Sequence, residues 1–320
     1  MSKGTKVWLV TAALLVVVGL ILFAVALTQY GWDFSRLSTR EFQTNTYKIT
    51  ENFTGISLHT DTADILFATA PDGVCQVVCY EQVDMPHTVE VKNGALTIDI
   101  TDNRAWYEYI GIQFDTPKIT VYLPEASYAS LSIDEDTGDI AIGKDFAFES
   151  VDISLSTGDV AFSAPVSQLL KIQTSTGHIR VENIQAGAME LATSTGGITT
   201  SHVQCEGHIQ SRVSTGKTVF LDVTCQHLTS AGDTGDLSLK TVKVAEKLTV
   251  NRSTGDVEFD NTDAAEVCIV TDTGDVTGRF LTDKVFIVQT DTGHVDVPKT
   301  VTGGKCEITT DTGDVRIKKP

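Results

Sequence analysis

The tripeptide Asp-Thr-Gly, the loop that carries the paired carboxylates of aspartic proteases, occurs at Asp136, Asp233, Asp272, Asp291 and Asp311. That chemistry needs two such loops face to face, so that two carboxylates share one proton. Here Ser takes the place of Asp in five further copies, at Ser156, Ser175, Ser194, Ser214 and Ser253. So free an exchange suits a corner better than a catalytic dyad: Asp and Ser side chains both bond the backbone two residues on.

The residue after each glycine is also acidic in most copies: Asp139, Asp159, Asp236, Asp256, Asp275 and Asp314. Stacked like charges repel, and a hard cation such as Ca²⁺ relieves this by binding turn oxygens. Asp272, Asp275, Asp291, Asp311 and Asp314 form the densest patch and are the Ca²⁺ candidates; the competing reading is a solvated acidic face of hydrogen-bonded turns. No other cofactor is suggested. His178 and His294 share the same column but lie six repeats apart, about 29 Å at the strand spacing, too far to act together. His59, His87, His202, His208 and His227 show no metal spacing and read as lone surface residues.

Cys205 and Cys225 each stand nine places after their glycine. In stacked repeats their Cα atoms fall about 5 Å apart, within disulfide range. A bridge and a reduced, buried thiol ladder both fit. Cys75 and Cys79 are about 13 Å apart on one strand and cannot bond directly. Trp106, Tyr107, Tyr109 and Ile110 form the aromatic cluster outside the columns, read either as a binding surface or as core.

These residues are positioned by a repeat. The corner glycines are Gly138, Gly158, Gly177, Gly196, Gly216, Gly235, Gly255, Gly274, Gly293 and Gly313, spaced by 19 or 20 residues throughout. Two places after the glycine stand Ile140, Val160, Ile179 and Ile198; five places before it stand Ile133, Ile153, Ile172 and Leu191. Apolar residues alternate on both sides of the corner, the period-2 mark of half-buried strands. Ser211, Ser230 and Thr218 break the columns. Glycine in third place predicts a type II turn, which does not suit tight antiparallel hairpins.

An open meander of twenty strands would leave an apolar face bare. Coiling buries both faces and pairs every strand with its copy one turn away. The predicted fold is therefore all-β: a parallel β-solenoid of about ten 19–20-residue coils, about 48 Å long, over 131–320. Asp61-Thr62-Ala63-Asp64 reads as a degenerate eleventh corner. The segment 46–130 predicts an N-terminal β cap, with a strand at Cys75–Tyr80, a hairpin at Asn93-Gly94 and a strand at Ile119–Leu123. Lys318, Lys319 and Pro320 read as blunting the last exposed edge.

The chain begins with an uncharged run, Val7–Leu27, whose 21 residues span about 31 Å as helix, enough to cross a membrane. One transmembrane helix within 1–30 and a tether over 31–45 are expected. Lys3 and Lys6 favour a cytoplasmic N-terminus and an external C-terminal domain; Arg36 and Arg40 beyond the span oppose that vote. Tyr30 and Trp32 suit the interfacial belt. A cleaved signal peptide ending at Ala24-Val25-Ala26 is the rival reading. The net charge of −18 argues against nucleic acid, whose phosphates need a basic face.

A single N-terminal span followed by corners such as Ser156-Thr157-Gly158-Asp159 and Asp272-Thr273-Gly274-Asp275 resembles the bacterial putative-adhesin family, domain of unknown function 4097, over about 46–320. The resemblance implies a cell-surface β-strand repeat protein of Gram-positive type. It supplies no catalytic residues; some relatives are linked to envelope stress and others to adhesion. The expected function is a non-catalytic, membrane-anchored interaction module with an unknown protein or envelope ligand. An envelope-stress sensor is the alternative, and a polysaccharide-acting enzyme a third reading.

Overall fold

The computed structural model describes residues 2–29, 40–104 and 115–319. The cluster Trp106, Tyr107, Tyr109 and Ile110, together with Tyr30, Trp32, Arg36 and Pro320, lies outside them. Lys3–Gln29 is one helix. Within it Gly4–Val25 is long and apolar enough to cross a membrane, and none of it is buried.

The sequence alternation reappears as alternating burial. In the strand Ala147–Thr157, Val151, Ile153 and Leu155 are buried while Asp152, Ser154 and Ser156 are exposed. Neighbouring rungs pair in parallel, residue for residue, so Ile153 lies between Ile133 and Ile172. Each such aliphatic side chain taken out of water contributes about 1.5–3 kcal/mol. One continuous core runs from Ile56 to Ile317.

The corner glycine is needed for a reason other than a type II turn. That turn wants φ near +80°, whereas Gly158 has φ 143° and Gly274 φ 156°. A Cβ on Gly158 would lie 1.9 Å from the Gly138 carbonyl oxygen, and one on Gly274 2.1 Å from that of Gly255. Rungs pass too closely at this corner for any side chain. A second corner follows six residues on, where Asn183, His202, Asp222, Thr241 and Asn261 adopt φ of 50–58°. Asn and Asp tolerate this left-handed conformation, and the columns gave no sign of it.

The rung order departs from the sequence at both ends. At the N-terminal end the corner Asp61–Asp64 is in frame, with the Ala63 amide donating to Thr137 O at 3.0 Å. The strand Gly55–Thr62 pairs with Ser127–Thr137 on one side and with Ala95–Ile100 on the other. Asp64–Thr69 likewise lies between Ile140–Ile142 and Lys118–Leu123. Ala95–Ile100 and Lys118–Leu123 thus make one more rung, outside the first. Antiparallel strands close that end: Cys75–Gln82 on Lys118–Leu123, Phe42–Ile49 on Cys75–Gln82, and His87–Lys92 on Ala95–Ile100. The hairpin turns through Asn93 (φ 51°) and Gly94 (φ 80°), the mirror-image turn such hairpins favour.

At the other end the last rung in the chain is not the last in space. Gly304–Thr312 pairs with Val257–Thr273 on one side and Lys284–Thr292 on the other. Val315–Lys318 lies between Val276–Phe280 and Val295–Asp296. The Gly313 rung is therefore inserted between those of Gly274 and Gly293. This corrects two expectations: that each rung stacks on the next in sequence, and that the lysines after Ile317 guard the end. A parallel backbone ladder bonds equally well to any rung of matching length, so chain order does not dictate stacking order.

Candidate functional site

The acidic column is a ladder of backbone caps. Asp139 N–H donates to Asp64 Oδ1 (3.2 Å), Asp159 N–H to Asp139 Oδ1 (2.8 Å) and His178 N–H to Asp159 Oδ1 (2.8 Å). A second run passes from Asp236 to Asp256 (3.1 Å), Asp275 (2.9 Å), Asp314 (2.8 Å) and His294 (2.6 Å). Both runs end on a histidine, whose backbone takes the last carboxylate.

The five Ca²⁺ candidates fall in three consecutive rungs. Asp272, Asp311 and Asp291 are exposed at the corner. Asp275 accepts the Asp314 amide on one oxygen and faces Arg316 at 3.4 Å with the other. The His294 amide, and then the Arg316 charge, hold the Asp314 carboxyl below the usual range. Among the described residues, the ligand-capable group that converges within 4.8 Å is a different one: Cys79, Glu81 and His87.

His87 is no surface residue; it is 3% exposed, at the junction of cap and solenoid. The strand Cys75–Gln82 turns Glu81 inward, and the strand beginning at His87 brings the imidazole beside it. Glu81 Oε2 lies 2.6 Å from His87 Nδ1 and accepts the His87 amide at 2.7 Å. Asn45 Nδ2 donates to Glu81 Oε1 at 2.5 Å, and His87 Nε2 lies 2.9 Å from Thr60 Oγ1. Carboxylate, imidazole and hydroxyl line up as in a nucleophilic triad. However, Thr60 is 3% exposed. The adjoining cavity, lined by Gln82, Met85, Ile100 and Arg104, has about 90 Å³, well below the roughly 300–1,000 Å³ of ligand sites. Both Glu81 oxygens already have partners, so the cluster is complete as a hydrogen-bonded brace. Its members come from four separate strands with no common spacing, so nothing in the sequence joined them. His59, His202, His208 and His227 are exposed as expected.

Three further charged residues are buried: Glu135, Arg252 and Lys284. Glu135 is 2% exposed and accepts the Ala63 amide at 3.0 Å; burial, then Asp64 and Asp139, push its carboxyl up to about 8. Arg252 points into the core, where Nη2 donates to Ser230 Oγ (2.8 Å) and Thr218 Oγ1 (3.1 Å). Ser211 donates to Ser230 at 3.0 Å. A Cβ on Gly232 would lie 1.6 Å from Arg252 Nη1. The hydroxyls that interrupt the apolar columns are thus the lining of one guanidinium chamber. Nε and Nη1 have no partner among the described residues, and burial lowers the Arg252 pKa to about 10.

Cys205 and Cys225 lie buried on adjacent rungs as free thiols, and Cys75 and Cys79 are buried free thiols on one strand. Burial raises the Cys225 thiol to about 12. Two open grooves follow the second corner: one of about 430 Å³ beside Ala147, Ala186 and Gly187, and one of about 690 Å³ beside Ala245, Ala265 and Gly304. The larger groove is also lined by the ion pair of Lys284 and Asp263. The Lys284 ammonium donates further to Ala264 O (2.7 Å) and Thr282 Oγ1 (2.9 Å), and Thr282 donates to Asp263 (3.0 Å), so the pair is fully occupied as a hydrogen-bonded brace.

A model of the family described as Toastrack DUF4097 matches residues 53–214 and 208–320. No curated protein matches the chain. Among solved structures, a putative adhesin from Bacteroides fragilis is 17% identical with a TM-score of 0.48, covering 76% of this chain and 98% of its own. A putative adhesin from Parabacteroides distasonis is 12% identical with a TM-score of 0.49, over 76% and 98%. One from Parabacteroides merdae is 10% identical with a TM-score of 0.42, over 76% and 97%.

Proposed function

The chain belongs to the Toastrack DUF4097 family, and from that premise we propose that it acts without catalysis, as an adhesin-like interaction module held at a membrane. The observation that carries this reading is the packed core. One continuous apolar core runs along the rod, and the triad-like set of Glu81, His87 and Thr60 is buried beside a cavity of about 90 Å³. What the rod offers to other molecules is its outer faces and its end.

The N-terminal helix supports the membrane part of the reading. Leu15 and Leu22 are 68% and 65% exposed on it, a surface that is stable in lipid and costly in water. Lys3 and Lys6 then favour the orientation with the rod outside the cell. The net charge of −18 keeps the rod itself off anionic lipid headgroups.

Protease shaving of intact cells tests the proposal. The expected result is loss of the rod from the outside, with a membrane-embedded stub of about 3 kDa left behind. A rod protected until the cells are lysed, or full release of the intact chain into the medium, overturns it.

A further inference from the structure

The two ends of the rod are unlike. At the N-terminal end, antiparallel strands cover the outermost rung. At the other end, no strand among the described residues pairs with the outer edge of Lys284–Thr292 or of Val295–Asp296. The core columns show the consequence. Val295 is 40% exposed, whereas Val315 and Val276, in the same column further in, are 0% exposed. Phe286 and Val288 are half-buried against Cys306 and Ile308, which are fully buried. Ile287 is 51% exposed.

Solenoids normally hide such an end, and edge strands normally carry charges or proline in their centre. The segment Val285–Thr290 has neither. Its free edge presents a row of unpaired amides and carbonyls, which only another strand can satisfy in register. The N-terminal end of a second copy offers Phe42–Ile49 and His87–Lys92, each paired on one side only, but stacking head to tail on them is heterologous and runs on without closing. The tip of a second copy offers an identical edge, and pairing with it closes. Antiparallel pairing of this strand with itself about Val288 sets Ile287 opposite Gln289, Phe286 opposite Thr290, Val285 opposite Asp291 and Lys284 opposite Thr292. No like charges meet, which is the condition such cross-strand pairs require.

We propose that the open tip binds the tip of a second copy, edge strand to edge strand about a twofold axis. The contact is isologous and closes after two chains. It supplies the missing layer over Phe286, Val288 and Val295. The inference names the partner of the interaction module and rests on that reading in one respect: with each helix at the far end of its rod, the paired tips join two membranes rather than neighbours in one.

The test is self-association of the full chain in detergent micelles, followed by sedimentation over a wide range of protein concentration. A monomer–dimer equilibrium is expected. Ile287 faces outward, so Ile287→Lys and Ile287→Glu spare the core. Its two copies are diagonal neighbours across the twofold axis, so each variant alone weakens the dimer about tenfold, roughly 1.4 kcal/mol, and an equimolar mixture of the two restores it. Monomers at every concentration, or a dimer indifferent to both variants, overturn the proposal. Protease shaving reads the other question separately: an external but monomeric rod removes the tip pairing and leaves the membrane-displayed module standing.

Discussion

The Gly274 amide donates to the carbonyl oxygen of Thr312 at 2.9 Å, although Thr292 is the threonine of the next corner along the chain. The last rung therefore fills a slot between two rungs made before it. Val270 faces Thr309, and Gln289 faces Thr309 from the other side. The double variant Val270→Cys with Thr309→Cys is expected to form a disulfide on mild oxidation, seen as a linked peptide by mass spectrometry. Val270→Cys with Gln289→Cys is not, because two rung spacings, about 10 Å, exceed disulfide reach. The reverse outcome would restore sequential stacking.

Arg252 and Gly232 are coupled through space. In the natural protein, Gly232→Ala drives a methyl group into the guanidinium and is expected to cost about 2 kcal/mol. In an Arg252→Met background that cost shrinks. Arg252→Met alone removes a buried charge with unpartnered nitrogens, and a gain of about 1–2 kcal/mol is expected. Urea unfolding of the four chains measures the cycle. Independent, additive losses would show that the chamber is not a unit.

Thr241 sits at φ 56°, a left-handed conformation that strains a β-branched residue. Its counterparts at this corner in other rungs include Asn183 and Asn261. The Thr241 side chain is exposed, so replacing it disturbs no packing. Thr241→Asn is expected to stabilise the fold by about 1 kcal/mol, read as a rise in melting temperature. A fall would remove backbone strain as the reason Asn and Asp recur there.

Glu135 makes stability depend on pH. Its folded carboxyl titrates at about 8, above the ordinary value of about 4.3. The folded state thus holds a proton that the unfolded chain releases. The contribution is complete below about pH 4 and is lost as pH rises through about 8. Stability is expected to fall by a few kcal/mol across that window. Glu135→Gln keeps an acceptor for the Ala63 amide and flattens the fall. An unchanged slope in that variant would assign the pH dependence elsewhere.

Calcium tests the acidic corner. Asp275 and Asp314 already accept backbone amides and face Arg316, which leaves Asp272, Asp291 and Asp311 to hold an ion. Millimolar Ca²⁺ added after chelation is expected to move the melting temperature by less than about 1 °C. A rise of several degrees, abolished by Asp311→Asn, would establish a site.

The solenoid was legible because its determinants are local and repeated. Alternating columns such as Ile133, Ile153 and Ile172 can bury both faces only by coiling, and a glycine recurring at one corner marks where backbones touch. The hairpin at Asn93-Gly94 was legible for the same reason: two residues set the turn. Arg252 was not, because its chamber is assembled from Ser211, Thr218, Ser230 and Gly232 on several rungs, and the three hydroxyl residues looked like lapses in their own columns. His87 was not, because its partners Asn45, Thr60 and Glu81 meet through the cap rather than through any spacing. Rung order at the ends was beyond the sequence altogether. Parallel strands bond through amides and carbonyls that every residue but proline possesses. The choice between Thr292 and Thr312 beside Gly274 therefore rests on how whole rungs fit in three dimensions.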